Sequence, residues 1–326
     1  MEIKKVVVAG GGVLGSQIAF QAAYCGFDVT IWLRSESSKT RTQPKLDQLK
    51  VDYMNTIAGM QAGKLWAAGI ADSDNFNPEE CIAKTERAHA SVKLETSLAE
   101  AVKDADLIIE SMAEVTDQKI AFYKMMAPLL EEKTVVVTNS STLLPSTFAK
   151  YTGRPEKYCS LHFANYIWKN NTAEVMSHNT TKEDTFNSVM AFAEQIRMFP
   201  LPLHKEKNGY LLNSLLVPFL LSGMDLVANG ISDPASVDAA WVKGTGAPRG
   251  PFQVIDVVGL QTAYNIVSQY QKVPGLISPL LKKMMLPYNF KGIIAMLKSY
   301  MDAGKMGRAS GEGFYKYKSI NHNYNL

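Results

Sequence analysis

The stretch VVVAGGGVLGSQIAF, residues 6–20, constrains this chain more than any other. A β-branched run passes into glycines at Gly10, Gly12 and Gly15, the GxGxxG spacing, and then into a segment of helical periodicity. Strand, glycine turn and helix in that order open a doubly wound parallel sheet. The first glycine permits a tight turn, the second lets backbone approach a pyrophosphate, and the third lets helix and strand pack closely. Val13 and Leu14 then begin a helix whose free amides favour phosphate. These five residues are the expected cradle of a dinucleotide.

The chain downstream keeps the pattern. FDVTIWL, part of VKDADLIIESM, EKTVVVTNSS, EKYCSLHFA and TAEVMSHN read as strands, and TDQKIAFYKMMAPLL as an amphipathic helix. Such alternation predicts a Rossmann-type α/β domain. Residues 38–90 interrupt it as a polar helical insertion, with a helix over LDQLKVDYMNTIAGM and a polar loop around Asp72–Glu80. The insertion reads either as a solvated helix pair or as a contact for a long substrate. After MFPLPLHKEKNGY, helical patterns take over. The chain therefore divides into a dinucleotide-binding domain over 1–204 and an all-helical domain over 205–326 for substrate and dimerisation. LLNSLLVPFLLSGM is apolar nearly all round, which predicts burial in a core or a homodimer interface, with a kink at Pro218.

Bulk properties exclude several classes. Lys and Arg number 34 against 31 Asp and Glu over 326 residues, with both signs spread along the chain. A nucleic-acid partner needs a concentrated basic face. No run reaches the roughly 18 apolar residues of a membrane span, and the amino terminus lacks the features of a signal peptide. Three cysteines without a CxxC pair point to a reducing compartment, hence a cytoplasmic protein, and each reads as a small buried hydrophobe. His89, His178, His204 and His322 read as solvated. No two histidines stand with an acid at metal-ligand spacing, so no metal is expected.

The end of the second strand selects the cofactor. A carboxylate there would bind ribose hydroxyls and repel a 2′-phosphate. TIWLRSES instead offers Leu33, then Arg34 and Ser35. Arginine pairs with a phosphate dianion and serine donates to it, which favours NADP over NAD. The alternatives are a solvated Arg34, or a Glu36 that serves a ribose or neutralises the arginine.

The catalytic candidates follow the fourth of these strands. Asn139, Ser140, Ser141 and Thr142 lie just past its carboxyl end, where open α/β sheets bind ligands. His162 closes an apolar run, and Glu174 lies twelve residues on in the next strand. Two neighbouring strands would set the carboxylate against the imidazole, fixing its tautomer and stabilising its charged form, as a general base requires.

Several blocks, GGGVLGSQIA, IIESMAEVTDQKIAFYKMM, TNSSTL, SLHFAN, AEVM, GYLLNSLLVPFL, GAPRGPFQVIDVVGL and GEGFYKYK, occur in an order that resembles the short-chain L-3-hydroxyacyl-CoA dehydrogenases, including 3-hydroxybutyryl-CoA dehydrogenases. The resemblance runs nearly end to end. It implies His162 as the catalytic histidine, Glu174 as its carboxylate partner, Ser141 as the hydroxyl on the substrate oxygen, and Asn213 as the asparagine completing the site. It implies Glu114 and Lys119 beside the nicotinamide end of the cofactor, with Asn139 in the same cofactor-binding set, and Asn165 in the histidine loop. An acyl-CoA substrate and a dimer are implied with them. The chain departs from the family at HFANYIWKNN, where Ala164, Tyr166, Trp168 and Lys169 replace the usual residues near the reacting carbon. The insertion is poor in lysine for a coenzyme A contact, and Arg249 adds a charge where the family is apolar. Arg249 is either a partner for a free carboxylate or solvated. Three readings stand: a short-chain 3-hydroxyacyl-CoA dehydrogenase; an NADP-linked enzyme on a non-CoA 3-hydroxy or 3-keto acid; and a non-catalytic dinucleotide-binding protein.

Overall fold

The computed structural model describes residues 2–270 and 288–317, so His322 lies outside the described residues. The chain divides into two compact units, one ending at Leu211 and the other beginning at Leu212.

The first unit is built on an eight-stranded sheet, β1 (Lys5–Ala9), β2 (Asp28–Trp32), β3 (Lys93–Glu95), β4 (Leu107–Glu110), β5 (Val135–Thr138), β6 (Tyr158–Phe163), β7 (Thr172–Met176) and β8 (Phe199–Leu203). Their spatial order is β3-β2-β1-β4-β5-β6-β7-β8. Every neighbouring pair is parallel except β6 and β7, which run antiparallel. Both faces are covered, so β1 is a continuous buried apolar run. Side-chain alternation sorts the strands onto two cores. Val6, Val8, Leu107, Ile109, Val137, Leu161 and Val175 face one, with α1 (Val13–Tyr24) and α6 (Glu183–Gln195). Val7, Ile108, Val136 and Tyr158 face the other, with α4 (Leu98–Val102) and α5 (Thr116–Met126). Pro200 and Pro202 stand in β8, an edge strand, where a missing amide is tolerated.

The insertion is not a solvated pair. Its helices α2 (Glu36–Gln61) and α3 (Pro78–Ser91) send Leu46, Leu49, Tyr53, Ile57, Met60 and Cys81 into the first core. α2 reads as polar because only one stripe of it is apolar. α3 begins inside the expected loop, where Pro78 takes the first helical position and the Asn77 side chain accepts from the Glu80 amide. Neither β3 nor α4 was legible: three and five residues are too few to show a period.

The cysteines and histidines also have defined surroundings. Cys25, Cys81 and Cys159 are free thiols, Cys81 and Cys159 buried and Cys25 half-buried. Burial pushes the Cys25 and Cys159 thiols up to about 12, so neither is a nucleophile at neutral pH. His178 is buried rather than solvated, and its Nδ1 meets the Thr180 hydroxyl at 3.2 Å. His204 is exposed, and His89 sits 2.8 Å from Asp47. Among the described residues, no group of three His, Cys, Asp or Glu is placed to hold a metal, and no helix is long and apolar enough to cross a membrane.

The second unit consists of α7 (Leu212–Ala228), α8 (Pro234–Thr245), α9 (Pro251–Val258), α10 (Leu260–Tyr270) and α11 (Phe290–Asp302). α7 runs through Pro218 as one element. It buries Leu220, Leu221 and Met224 but leaves Leu212, Leu215 and Leu226 exposed, so its all-round apolarity does not mean all-round burial. Asp256 anchors the segment after α11, accepting from the amides of Phe314 and Tyr315 and the Tyr317 hydroxyl. A Cβ at Gly313 would lie 2.1 Å from the Asp256 carboxylate, which explains the glycine of GEGF.

At the amino-terminal edge of the sheet, Asp106 ties three strands together. It accepts from the amides of Lys4 and Lys5 at 2.9 Å each and from the Lys133 ammonium at 2.7 Å. Burial pushes this carboxyl up, but the Lys133 contact and the two amides outweigh it and hold it below the ordinary range. Asp106→Asn is therefore expected to cost about 1–2 kcal/mol in urea unfolding at pH 7. A depressed folded-state value means this stability is present above about pH 4 and is lost as pH falls through it. The wild-type and variant curves should converge in strong acid; a gap that persists there contradicts the account.

Candidate active site

The turn after β1 separates the glycines by role. Gly10 has φ +121°, and a Cβ there would meet the Ser111 carbonyl oxygen at 2.6 Å. A Cβ at Gly15 would meet the Gly10 carbonyl oxygen at 2.1 Å. Both glycines are demanded by the fold itself. Gly12 differs: a Cβ there would meet nothing within 4 Å. It caps α1, and the amides of Val13, Leu14 and Gly15 that follow have no intrahelical acceptor. Open space before free amides fits a dinucleotide pyrophosphate.

A cavity of about 280 Å³ opens from Gly10–Gly12 and reaches past β2 to Leu33, Arg34, Ser38, Arg41 and Lys45. Sequence reasoning found Arg34 and missed the other polar wall residues. Positions 34, 38, 41 and 45 recur at helical spacing, which was the available signal. Ser35 does not line this cavity. Its hydroxyl lies 3.0 Å from those of Ser37 and Ser38, a cluster to which Arg41 donates. Glu36 does not neutralise Arg34: it accepts from Thr96 and pairs with Lys39.

The second part of the site lies across β5, β6 and β7. His162 and Glu174 are directly paired residues in the antiparallel ladder. Leu161, Phe163, Ala173 and Val175 fill the first core, so His162 and Glu174 share the opposite face. Opposite residues on one face of a ladder bring their side chains into contact. His162 Nδ1 lies 2.8 Å from Glu174 Oε2, and both side chains are buried. The carboxylate only accepts, so Nδ1 carries the proton, and Nε2 of the neutral ring is left to accept. It faces the Ser141 hydroxyl at 3.1 Å. The other Glu174 oxygen accepts from the Leu211 amide at 2.8 Å.

Ser141 sits in a turn with its own support. Glu114 accepts from the Ser140 hydroxyl through both oxygens and from the Ser141 amide at 2.6 Å. Behind it, Lys119 is 1% exposed and pairs with Glu110 at 2.6 Å, with Glu114 at 3.6 Å. Glu110 also accepts from Thr138, Tyr123 and the Met112 amide. Glu110, Thr138 and Ser160 are successive partners in the sheet register, a polar row on the same face as His162. Glu110 was missed in the sequence, although a carboxylate ending the apolar strand LIIE, like the threonine ending VVVT, marks it.

Several candidates take structural positions. Asn139 is buried, accepting from the Phe163 amide and contacting the Ser111 hydroxyl, and so joins β5 to β6. Asn165 is exposed. Trp168, expected near the reacting carbon, is 1% exposed. It packs on Tyr53 with ring centroids 5.0 Å apart and donates to Thr56. Tyr166 stays exposed, at φ +59°, with its amide on Gln17. Asn213 on α7 and Arg249 ahead of α9 belong to the second unit.

A glycine-turn dinucleotide cradle with polar chemistry at the carboxyl ends of the strands defines an oxidoreductase of the dinucleotide-dependent class. The family description "3-hydroxyacyl-CoA dehydrogenase, NAD binding domain" matches residues 5–207, and "3-hydroxyacyl-CoA dehydrogenase, C-terminal domain" matches residues 209–317. The chain belongs to the 3-hydroxyacyl-CoA dehydrogenase family. It is 28% identical to the mitochondrial hydroxyacyl-coenzyme A dehydrogenase of Homo sapiens over 316 residues, 97% of this chain and 92% of that one. It is 28% identical to the 3-hydroxybutyryl-CoA dehydrogenase of Clostridioides difficile over 318 residues, 96% and 99% of the two chains. A solved diketoreductase, described in the dual catalysis of dicarbonyl compounds, is 42% identical with a TM-score of 0.82, covering 97% of this chain and 100% of that one.

The glycine roles are separable by experiment. Gly12→Ala is expected to keep unfolding within about 1 kcal/mol of wild type and to weaken NAD binding at least about tenfold by calorimetry. Gly15→Ala is expected to lose about 1–3 kcal/mol of stability, because backbone must move. A Gly12→Ala protein that binds the dinucleotide like wild type contradicts the assignment.

Proposed function

We propose that this protein interconverts 3-hydroxyacyl-CoA and 3-oxoacyl-CoA thioesters of short chain, with His162 as general acid and base. The Ser141–His162–Glu174 chain of hydrogen bonds carries the reading. Gly10, Gly12, Val13, Leu14, Gly15 and Arg34 would hold the dinucleotide, which when bound supplies the hydride acceptor or donor. In oxidation, His162 Nε2 takes the proton of the substrate 3-hydroxyl. Glu174 balances the imidazolium that forms and keeps the ring from turning. Ser141 orients the substrate oxygen, and Glu114 holds Ser141 by its amide. Asn213 is a further proposed substrate contact. In reduction His162 begins charged and returns the proton. Positioned acid–base catalysis of this kind contributes about 100- to 10,000-fold.

NADP is the proposed cofactor preference, within a family whose domain is described as NAD binding. Leu33 standing where a ribose-binding carboxylate is expected, and three cations on the cavity wall, support it. A homodimer is part of the reading, supported by exposed Leu215, Ile231 and Trp241 on the second unit and checked by sedimentation at micromolar concentration. A cytoplasmic location is proposed from the three free thiols.

A second reading has an observation of its own. The 42% identity to a diketoreductase favours a dicarbonyl compound without coenzyme A. Asn165 and Arg249 are its candidate substrate contacts. Initial rates of reduction of acetoacetyl-CoA and of a dicarbonyl compound without coenzyme A, each with NADPH and NADH, decide between them. The expected result is faster acetoacetyl-CoA reduction, with NADPH preferred and at least 100-fold lower turnover in Glu174→Gln. Turnover of the free dicarbonyl alone selects the second reading, and an NADH preference overturns the cofactor assignment. Dinucleotide binding with no turnover of either compound contradicts both.

A further inference from the structure

We propose that Tyr210 is a positioning residue of this site, its ring bracing the His162 imidazole and its hydroxyl fixing the turn that presents Ser141. The proposal rests on the reading of His162 as the acid–base group. The Tyr210 and His162 rings are stacked, with centroids 4.5 Å apart and 17° between their planes. Tyr210 is 1% exposed, and its hydroxyl donates to the Ser140 carbonyl oxygen at 2.8 Å. One side chain thus grips the imidazole and the residue preceding Ser141 together.

The surrounding backbone shows that this is more than apolar packing. Tyr210 has φ +52° and follows Gly209 at +80°, a left-handed pair that a residue with a Cβ enters only when held. The segment is held at several points. The Leu211 amide donates to Glu174, Asn208 donates to the Thr142 carbonyl, and Glu206 accepts from the Ser146 amide. This strap of six residues reaches the imidazole, its carboxylate and the serine turn. Sequence reading took MFPLPLHKEKNGY only as the end of a domain.

The stack has an electrostatic consequence. An aromatic face attracts a cation, so the Tyr210 ring favours imidazolium over neutral imidazole. Charged and titratable groups around the stacked rings include Glu174 from β7, Cys159 from β6, and Glu114 with Lys119 behind Ser141. Burial pushes the Tyr210 hydroxyl well above its ordinary range, so it acts as a fixed donor.

Two variants separate the ring from the hydroxyl. Tyr210→Phe keeps the stack, so the pH midpoint of kcat/KM for oxidation should stay in place while kcat falls about three- to tenfold. Tyr210→Leu removes both contacts, so the midpoint should move down by about 0.5–1 pH unit as the charged ring loses support. A merely structural role would alter thermal unfolding and leave the midpoint unmoved. A folded Tyr210→Leu protein with wild-type midpoint and kcat overturns the proposal. If that variant does not fold, an unchanged kcat in Tyr210→Phe overturns it. Failure of the underlying reading looks different: Glu174→Gln would then keep wild-type turnover.

Discussion

The cross-strand pairing of His162 with Glu174 is the contact on which the rest of the site depends. It exists because the sheet reverses direction between β6 and β7, so that β7 and β8 run against the other six strands. A parallel neighbour would need a long crossover and could not set two residues twelve apart directly opposite each other. The reversal puts imidazole and carboxylate on one face of one ladder. A one-residue slip of either strand would turn that strand's apolar side chains out of the first core, so packing protects the register. Leu161, Phe163, Ala173 and Val175 are the residues that do this.

Around that pair the molecule assembles a buried polar network centred on Glu110. Glu110 and Lys119 are buried together, and Glu110 has three further donors besides. Removing either charge would strand the other, typically a loss of about 3–5 kcal/mol. Glu114 lies between this network and Ser140–Ser141, linking the buried pair to the turn that faces His162. The glycine turn stands at the same ends of the parallel strands, so it shares one rim of the sheet with the His162–Glu174 pair. The opposite rim is closed by Asp106, away from the chemistry.

Much of this was legible in the sequence, for identifiable reasons. The strands of the sheet centre are buried on both faces and announce themselves as apolar runs. Gly10 and Gly15 stand where backbone contact leaves no room for a Cβ, as the tight turn and the close helix–strand packing implied, whereas Gly12 faces open space. His162 and Glu174 could be paired because they lie on two consecutive strands joined by one short loop. The losses also have causes. Trp168 was taken for a substrate neighbour because its loop borders the histidine, whereas a large apolar ring in such a loop is drawn into the nearest core, here Tyr53 of α2. His178 was assigned to solvent by residue type, although its position beyond β7 buries it. Tyr210 escaped notice because its partners are 48 and 70 residues away, and no local pattern records a ring stack or a bond to a distant carbonyl.

In the proposed reaction His162 moves the substrate proton. The most direct test is single-turnover oxidation by His162→Gln, with dinucleotide affinity measured on the same protein. The account predicts unchanged dinucleotide affinity, turnover lower by about 100- to 10,000-fold, and loss of the pH-dependent rise in rate. Near-wild-type turnover with the same pH profile would contradict it and remove the imidazole from the chemistry.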